Sequence, residues 1–285
     1  ETLAALGEEN EKIVVLDADL YNSTRSVLFA KRFPERFFEV GIAEQNMIGT
    51  AAGLALTGFT PFVNSFAVFL TGRAYDQIRV SVAYSELNVK LCGSSAGLSD
   101  IGDGGTHQSF EDVSLMRSLP NMTVVVPADA VETRMATRQI AQRKGSVYLR
   151  LCRAEVPVVV SPDYQFEIGK VVSLREGREV TVFACGIMVK CALDAADELA
   201  KEGIQAQVVN VSTIKPLDEE GVVRFAEVTG AVVVAEEHSI IGGLGSAILE
   251  ALDTEHISVE RVGIPDCFGQ SSQSYPRLLS AYRLT

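Results

Sequence analysis

The chain has 285 residues, 47% hydrophobic and 22% charged, enough for two α/β domains of ordinary size with a core in each. Its 37 acidic and 25 basic residues give a net charge of -12, which repels polyanions and excludes nucleic acid as an expected partner. No apolar run reaches the roughly 18–20 residues of a membrane span, so no membrane partner is expected. With no secretory signal legible, the expected compartment is the cytoplasm.

In chain order, Glu1 opens on what reads as a helix already under way. Short β-branched runs then read as buried strands: IVVLDAD (13–19), PFVNSF (61–66), NVKLCGS (88–94), TVVVPAD (123–129) and SVYLRL (146–151). Between them, amphipathic stretches predict helices over 43–57, 69–85, 110–118 and 130–143. That alternation implies a doubly wound, parallel sheet. The segment AEVPVVVSPDYQ (154–165) has no periodic face and carries two prolines, so it reads as the linker. Strands over 179–186, 205–212, 231–237 and 257–263, with helices over 188–202, 218–228 and 242–252, then build a second α/β layer. The expected domains are 1–157 and 166–285, and both chain ends read as trimmed.

Five cysteines without CxxC spacing read as reduced core residues. Three histidines without ligand spacing leave no metal site expected in this chain.

Two features carry chemistry. With Glu44 as i, positions i+3, i+4, i+7 and i+11 are Met47, Ile48, Ala51 and Ala55, which places the carboxylate on the apolar stripe of its helix. A buried Glu needs a partner, and burial suits a carboxyl group that shares a proton with a heteroaromatic nitrogen. The alternative is an acid that offsets the helix dipole. The second feature is the glycine-rich loop SAGLSDIGDGGTHQSFED, which delivers Asp103, Thr106, His107 and Gln108 to the C-terminal edge of the sheet, where open α/β folds bind ligands. His107 can exchange protons with a sugar hydroxyl, or simply be a surface His near a helix start. Gly102-Asp103-Gly104 imitates a diphosphate-binding GDG motif, but no Asn pair follows at the required distance.

The segments VLDADLYNST, FFEVGIAEQNMIGTAAGLAL, FAVFLTGRAYDQIR and DGGTHQSFEDVSLMRSLPNM, in this order, resemble the pyrimidine-binding domain of transketolases and deoxyxylulose-phosphate synthases. TVFACGIMVKCALDAADEL and VVVAEEHSIIGGLGSAI resemble the C-terminal domain of the same proteins. The resemblance implies two doubly wound α/β domains with mainly parallel sheets, and thiamine diphosphate as cofactor. It assigns Glu44 to the aminopyrimidine N1′, Phe66 and Phe69 to the faces of that ring (or else to an ordinary core), and Asp19 to the cofactor's surroundings. Ser23, Asp103, His107 and Arg153 fall to the substrate, and His238 is a weaker candidate for a proton relay. Arg73 matches a phosphate-side Arg of the synthases, with a surface or interdomain ion pair as its alternative. Ser94-Ser95 stands where transketolases have His and the synthases Arg, so Ser95 is a substrate position at which an unusual sugar is expected.

The diphosphate-binding domain of the family is not in this sequence. The resemblance therefore implies the C-terminal subunit of a split transketolase, moving a two-carbon ketol unit from a ketose phosphate to an aldose phosphate, as in the pentose phosphate pathway. Mg²⁺ or Ca²⁺ would be held by an N-terminal partner subunit, in an α2β2 assembly that includes homodimer contacts. The alternatives are a deoxyxylulose-phosphate-synthase-like enzyme, a 2-oxo acid dehydrogenase beta subunit, and a regulatory or scaffold subunit that keeps the fold.

Overall fold

The computed structural model of the chain describes residues 1–161 and 163–285. Pro162, inside the expected linker, lies outside the described residues. The first sheet contains β1 (Ile13–Asp17), β2 (Phe37–Glu39), β3 (Thr60–Phe66), β4 (Lys90–Ser94), β5 (Met122–Val125) and β6 (Ser146–Arg150). The second contains β7 (Val172–Arg175), β8 (Val180–Ala184), β9 (Ala206–Asn210), β11 (Ala231–Ser239) and β12 (Ser258–Ile264). A short β10 (Thr213–Lys215) leaves the second domain and pairs antiparallel with β5, so the first sheet runs β10-β5-β6-β4-β3-β1-β2 and the second β12-β11-β8-β9-β7.

All pairs among β1 to β6 are parallel, as are β8 with β9 and with β11, and β11 with β12. The near-continuous apolar runs explain this. Strands β1, β3, β4, β5 and β6 are buried along their whole length, which only a sheet covered by helices on both faces permits. β7 departs from the pattern, pairing antiparallel with β9 as the sheet's edge.

The helices Glu44–Leu56, Ala130–Gln142, Met188–Lys201, Glu219–Thr229 and Leu244–Ala251 fall where periodicity puts them. The segment 69–85 does not form the continuous α-helix its pattern predicts. Phe69–Arg73 and Ile78–Tyr84 wind as wide π-type turns around a short α-helical piece, Tyr75–Gln77, a form that recurs at functional sites. Between Arg150 and Val172 the described residues form no helix or strand. This stretch is nonetheless held down: Asp129, which caps Ala130–Gln142, also accepts hydrogen bonds from the amides of Val159 and Val160 at 2.7 and 3.0 Å.

The two domains are joined by buried polar contacts as well as by β10. Glu132 accepts from Tyr164 Oη at 2.7 Å, Asn210 Nδ2 at 2.9 Å, Ser212 Oγ at 2.7 Å and the Ala128 amide at 2.6 Å. A fully buried carboxylate is tolerable only with its lone pairs satisfied in this way. All five cysteines are free; Cys92 and Cys185 are buried as a core reading expects, whereas Cys152 and Cys267 are exposed. No helix among the described residues is long and apolar enough to cross a membrane.

Candidate active site

Glu44 is the first residue of Glu44–Leu56, and its helix buries Met47, Ile48 and Ala51 below it against the first sheet. The stripe carries the carboxylate inward with them, to 1% exposure. Its partner is Arg73, whose Nη1 donates to Glu44 Oε2 at 2.6 Å. Among the described residues no other side-chain hydrogen bond reaches Glu44. Arg73 thus forms an ion pair, but with a buried acid of its own domain and not across the surface or between domains.

From Arg73 a row of expected site residues runs across the sheet edge. The Arg73 guanidinium lies 4.7 Å from the centre of the Phe69 ring, within cation–π range. Phe69 stacks on Phe66 with centroids 6.1 Å apart, and His107 meets both rings edge-on at 5.1 and 6.2 Å. Arg153 closes the row 5.5 Å from the Phe66 ring centre. Phe66 ends β3 and Phe69 opens the first wide turn, so the strand-to-helix junction itself places both rings. Glu44, Arg73, Phe66, Phe69, His107 and Arg153 therefore form one continuous row of contacts.

Around Arg153 the polar chemistry concentrates. Its Nη1 donates to the buried Asp100 at 2.8 Å, and its amide donates to Ser99 Oγ at 3.1 Å. Beyond it opens a cavity of about 960 Å³ lined by Ser23, Ser95, Arg25, Arg134, Cys152 and Glu237, among others. Ser95 adopts a left-handed φ of 56°, is buried, and its Oγ has no hydrogen-bond partner among the described residues. A buried hydroxyl without a partner is costly, and one on a cavity wall is available to a ligand.

Asp19 and Asp103 are both exposed. Asp19 sits at φ 61° with its amide donating to Glu39 at 2.7 Å, and Glu39 also accepts from the Gly41 amide at 2.9 Å. The loop carrying Ser23 is shaped by Asp17, which no sequence pattern singled out. Asp17 accepts from the Leu20 amide at 2.7 Å, Thr24 Oγ1 at 2.7 Å and Ser26 Oγ at 2.8 Å. Burial pushes its carboxyl up to about 6, although those hydrogen bonds pull the other way. The only advance signal was its place at the end of a strand, in DAD.

In the glycine-rich loop, a Cβ on Gly104 would lie 2.6 Å from the Ser271 amide nitrogen, and one on Gly105 2.7 Å from the Gly269 carbonyl. These two glycines make room for the C-terminal domain. His107, half-buried, pairs through Nδ1 with Thr106 Oγ1 at 2.9 Å. His238 is buried, with Nδ1 2.7 Å from the Ser239 carbonyl and Nε2 accepting from the Ser114 amide at 3.4 Å. Both ring nitrogens are thus engaged by main-chain groups.

Comparison with known proteins agrees with this geometry. Residues 1–159 match the model of the transketolase pyrimidine-binding domain and residues 169–285 that of the transketolase C-terminal domain. The chain is 49% identical over 271 residues to the 6-deoxy-6-sulfo-D-fructose transketolase subunit SqwH of Clostridium sp., covering 95% of this chain and 84% of that one. It is 39% identical over 267 residues to one of the subunits of the apulose-4-phosphate transketolase of Phocaeicola vulgatus, covering 93% and 86%. A solved split-gene transketolase, described as an inactive beta4 tetramer, superposes with a TM-score of 0.90 at 52% identity, covering 100% and 91%. The family depends on thiamine diphosphate and catalyses group transfer. The chain belongs to the transketolase family, as a split subunit made of the pyrimidine-binding and C-terminal domains.

Proposed function

We propose that this subunit supplies the pyrimidine-side half of the active site to an N-terminal partner, and that the pair transfers a two-carbon ketol unit between anionic sugars. The observation that carries this reading is the buried Glu44 carboxylate at one end of a row formed by Phe66, Phe69 and His107, with Arg153 at the other. The donor set fits thiamine diphosphate. Glu44 is a buried acid able to share a proton with aminopyrimidine N1′, and Phe66 and Phe69 offer the apolar surface a flat heterocycle needs. When bound, the cofactor supplies the electron sink for cleaving the C2–C3 bond of a ketose.

The chain's own residues do the rest. Glu44 holds the proton at N1′. His107 is oriented by its Nδ1 contact with Thr106, which leaves Nε2 to exchange protons with a sugar hydroxyl. Arg153 grips the terminal anion through its planar fork, with Ser95 Oγ and Ser23 as further contacts. Arg73 neutralises Glu44 before the cofactor arrives. We assign Asp19 to the cofactor's surroundings and Asp103 to the sugar hydroxyls. Phosphate and sulfonate share the geometry this end of the site reads, and the Clostridium and Phocaeicola relatives are named for one sugar of each kind.

Magnesium or calcium, held by the partner subunit with the diphosphate, completes the cofactor site. The partner dependence is supported by the split-subunit relatives and by the neighbour described as inactive when assembled as beta4. We assign the domains to 1–157 and 166–285, the assembly to α2β2 and the compartment to the cytoplasm. The test is reconstitution. Mixing the purified chain with its N-terminal partner, thiamine diphosphate and Mg²⁺ is expected to give ketol transfer, and the chain alone none. Turnover by the isolated chain, or none by the mixture with any phosphorylated or sulfonated ketose, would overturn this reading.

A further inference from the structure

The C-terminal domain carries no residue of the row that begins at Glu44, yet it closes on the loop that carries His107. We propose that Glu237, on β11 of that domain, is a positioning residue for the transfer reaction, fixing the base of the loop 97–109. The inference rests on the ketol-transfer reading.

Glu237 Oε1 accepts from the Leu98 amide and from Tyr275 Oη, each at 2.8 Å. Gly97, beside Leu98, is pressed so closely that a Cβ there would lie 2.3 Å from Glu237 Oε2, and at φ 64° its backbone turns as glycine allows. The Gly97 amide donates to the Ser109 carbonyl at 2.9 Å, which ties the two legs of the loop together where Glu237 grips. The same domain holds the loop further out. The Ser272 amide donates to the Ile101 carbonyl at 2.7 Å, and Gln108 Nε2 donates to the Gln270 carbonyl at 3.1 Å. Asp103, Thr106 and His107 lie between these anchors. A loop rich in glycine would otherwise sample many positions, and a displacement of about 1 Å in such a group costs on the order of a hundredfold in rate.

Glu237 also changes charge near neutrality, since burial pushes its carboxyl up to about 7. The groups facing it are Arg150 on β6, Asp112 on the helix Asp112–Arg117, Tyr275 on Tyr275–Ala281, Cys152 after β6, Cys185 after β8 and Cys191 on Met188–Lys201. Glu236 and His238 flank it on its own strand. Arg150 favours the charged form, as do the Tyr275 and Leu98 hydrogen bonds, while Asp112 opposes it. Charged, the carboxylate accepts stronger hydrogen bonds from Leu98 and Tyr275 than it does when protonated.

Two measurements test this. Hydrogen exchange of the isolated chain is expected to quicken across 97–109 by about tenfold in E237A and less in Y275F, with β1 and β3 unchanged. In the reconstituted holoenzyme, E237A is expected to lower kcat/KM for the sugar roughly tenfold to a hundredfold with the thiamine diphosphate KM unaltered. E237Q, which still accepts from Leu98 but cannot ionise, is expected to flatten the rise of kcat/KM with pH through neutrality. Unchanged exchange at 97–109 in E237A, or kcat/KM within about twofold of wild type, overturns the proposal. If E237A does not fold, Y275F is read instead, and exchange at 97–109 unchanged from wild type overturns the proposal. A wild-type mixture that transfers no ketol unit counts against the function itself, whereas the exchange result still judges Glu237.

Discussion

Arg73 Nη1 donates to Glu44 Oε2 at 2.6 Å, so the carboxylate proposed to act on the cofactor already has a cationic partner in this subunit. The pair is lopsided, with Glu44 buried and the Arg73 side chain 45% exposed. Arg73 can therefore move aside at little desolvation cost, whereas Glu44 cannot. Removing the arginine leaves a buried carboxylate without a counter-charge. Chemical denaturation of R73A is accordingly expected to show a loss of about 1–3 kcal/mol relative to wild type. No loss in R73A would show that the two residues are not coupled.

Asp17 gives a pH signature. Its carboxyl stands at about 6 in the fold against an ordinary 3.8, with burial as the main cause. The sign follows directly: its contribution is fully present below the ordinary value and is lost as pH rises through about 6. Asparagine at this position cannot ionise and escapes that loss. Between about pH 4 and pH 7, wild type is expected to lose stability relative to D17N by no more than about 3 kcal/mol, read from paired urea titrations. A difference independent of pH would remove Asp17 as the titrating group.

At the domain junction the expectation is larger. Glu132 joins Tyr164, Asn210 and Ser212 to the first domain, and E132A deletes the common acceptor of all three. Leaving buried donors unpaired is expected to cost about 3–5 kcal/mol, whereas Y164F removes one hydrogen bond and costs about 1 kcal/mol. Urea unfolding of both variants checks the ratio. Equal effects would mean that Glu132 is not the hub of the junction.

Most of this fold was legible because its strands are buried on both faces, and such strands announce themselves as apolar runs bounded by turns. Glu44 was legible for a related reason: Met47, Ile48 and Ala51 define the inward face of its helix, and all three are buried. The residues that were missed answer to distant neighbours. β10 is a three-residue strand whose partner, β5, lies in the other domain, so no local period marks it. The glycines at 104 and 105 are explained by Gly269 and Ser271, more than 150 positions away. Arg73 was open to an ion pair, but its separation from Glu44 by 29 residues hid the partner. Glu237 looked like the polar end of a strand in AEEH, and only packing of the second domain on the loop reveals what it holds.

The central claim, that Glu44 is the acid acting on the cofactor, is tested most directly by ketol transfer in the reconstituted pair with Glu44→Ala. The account predicts a fall in kcat of about 10²–10⁴-fold with the fold and the partner affinity intact. Transfer at the wild-type rate would contradict it.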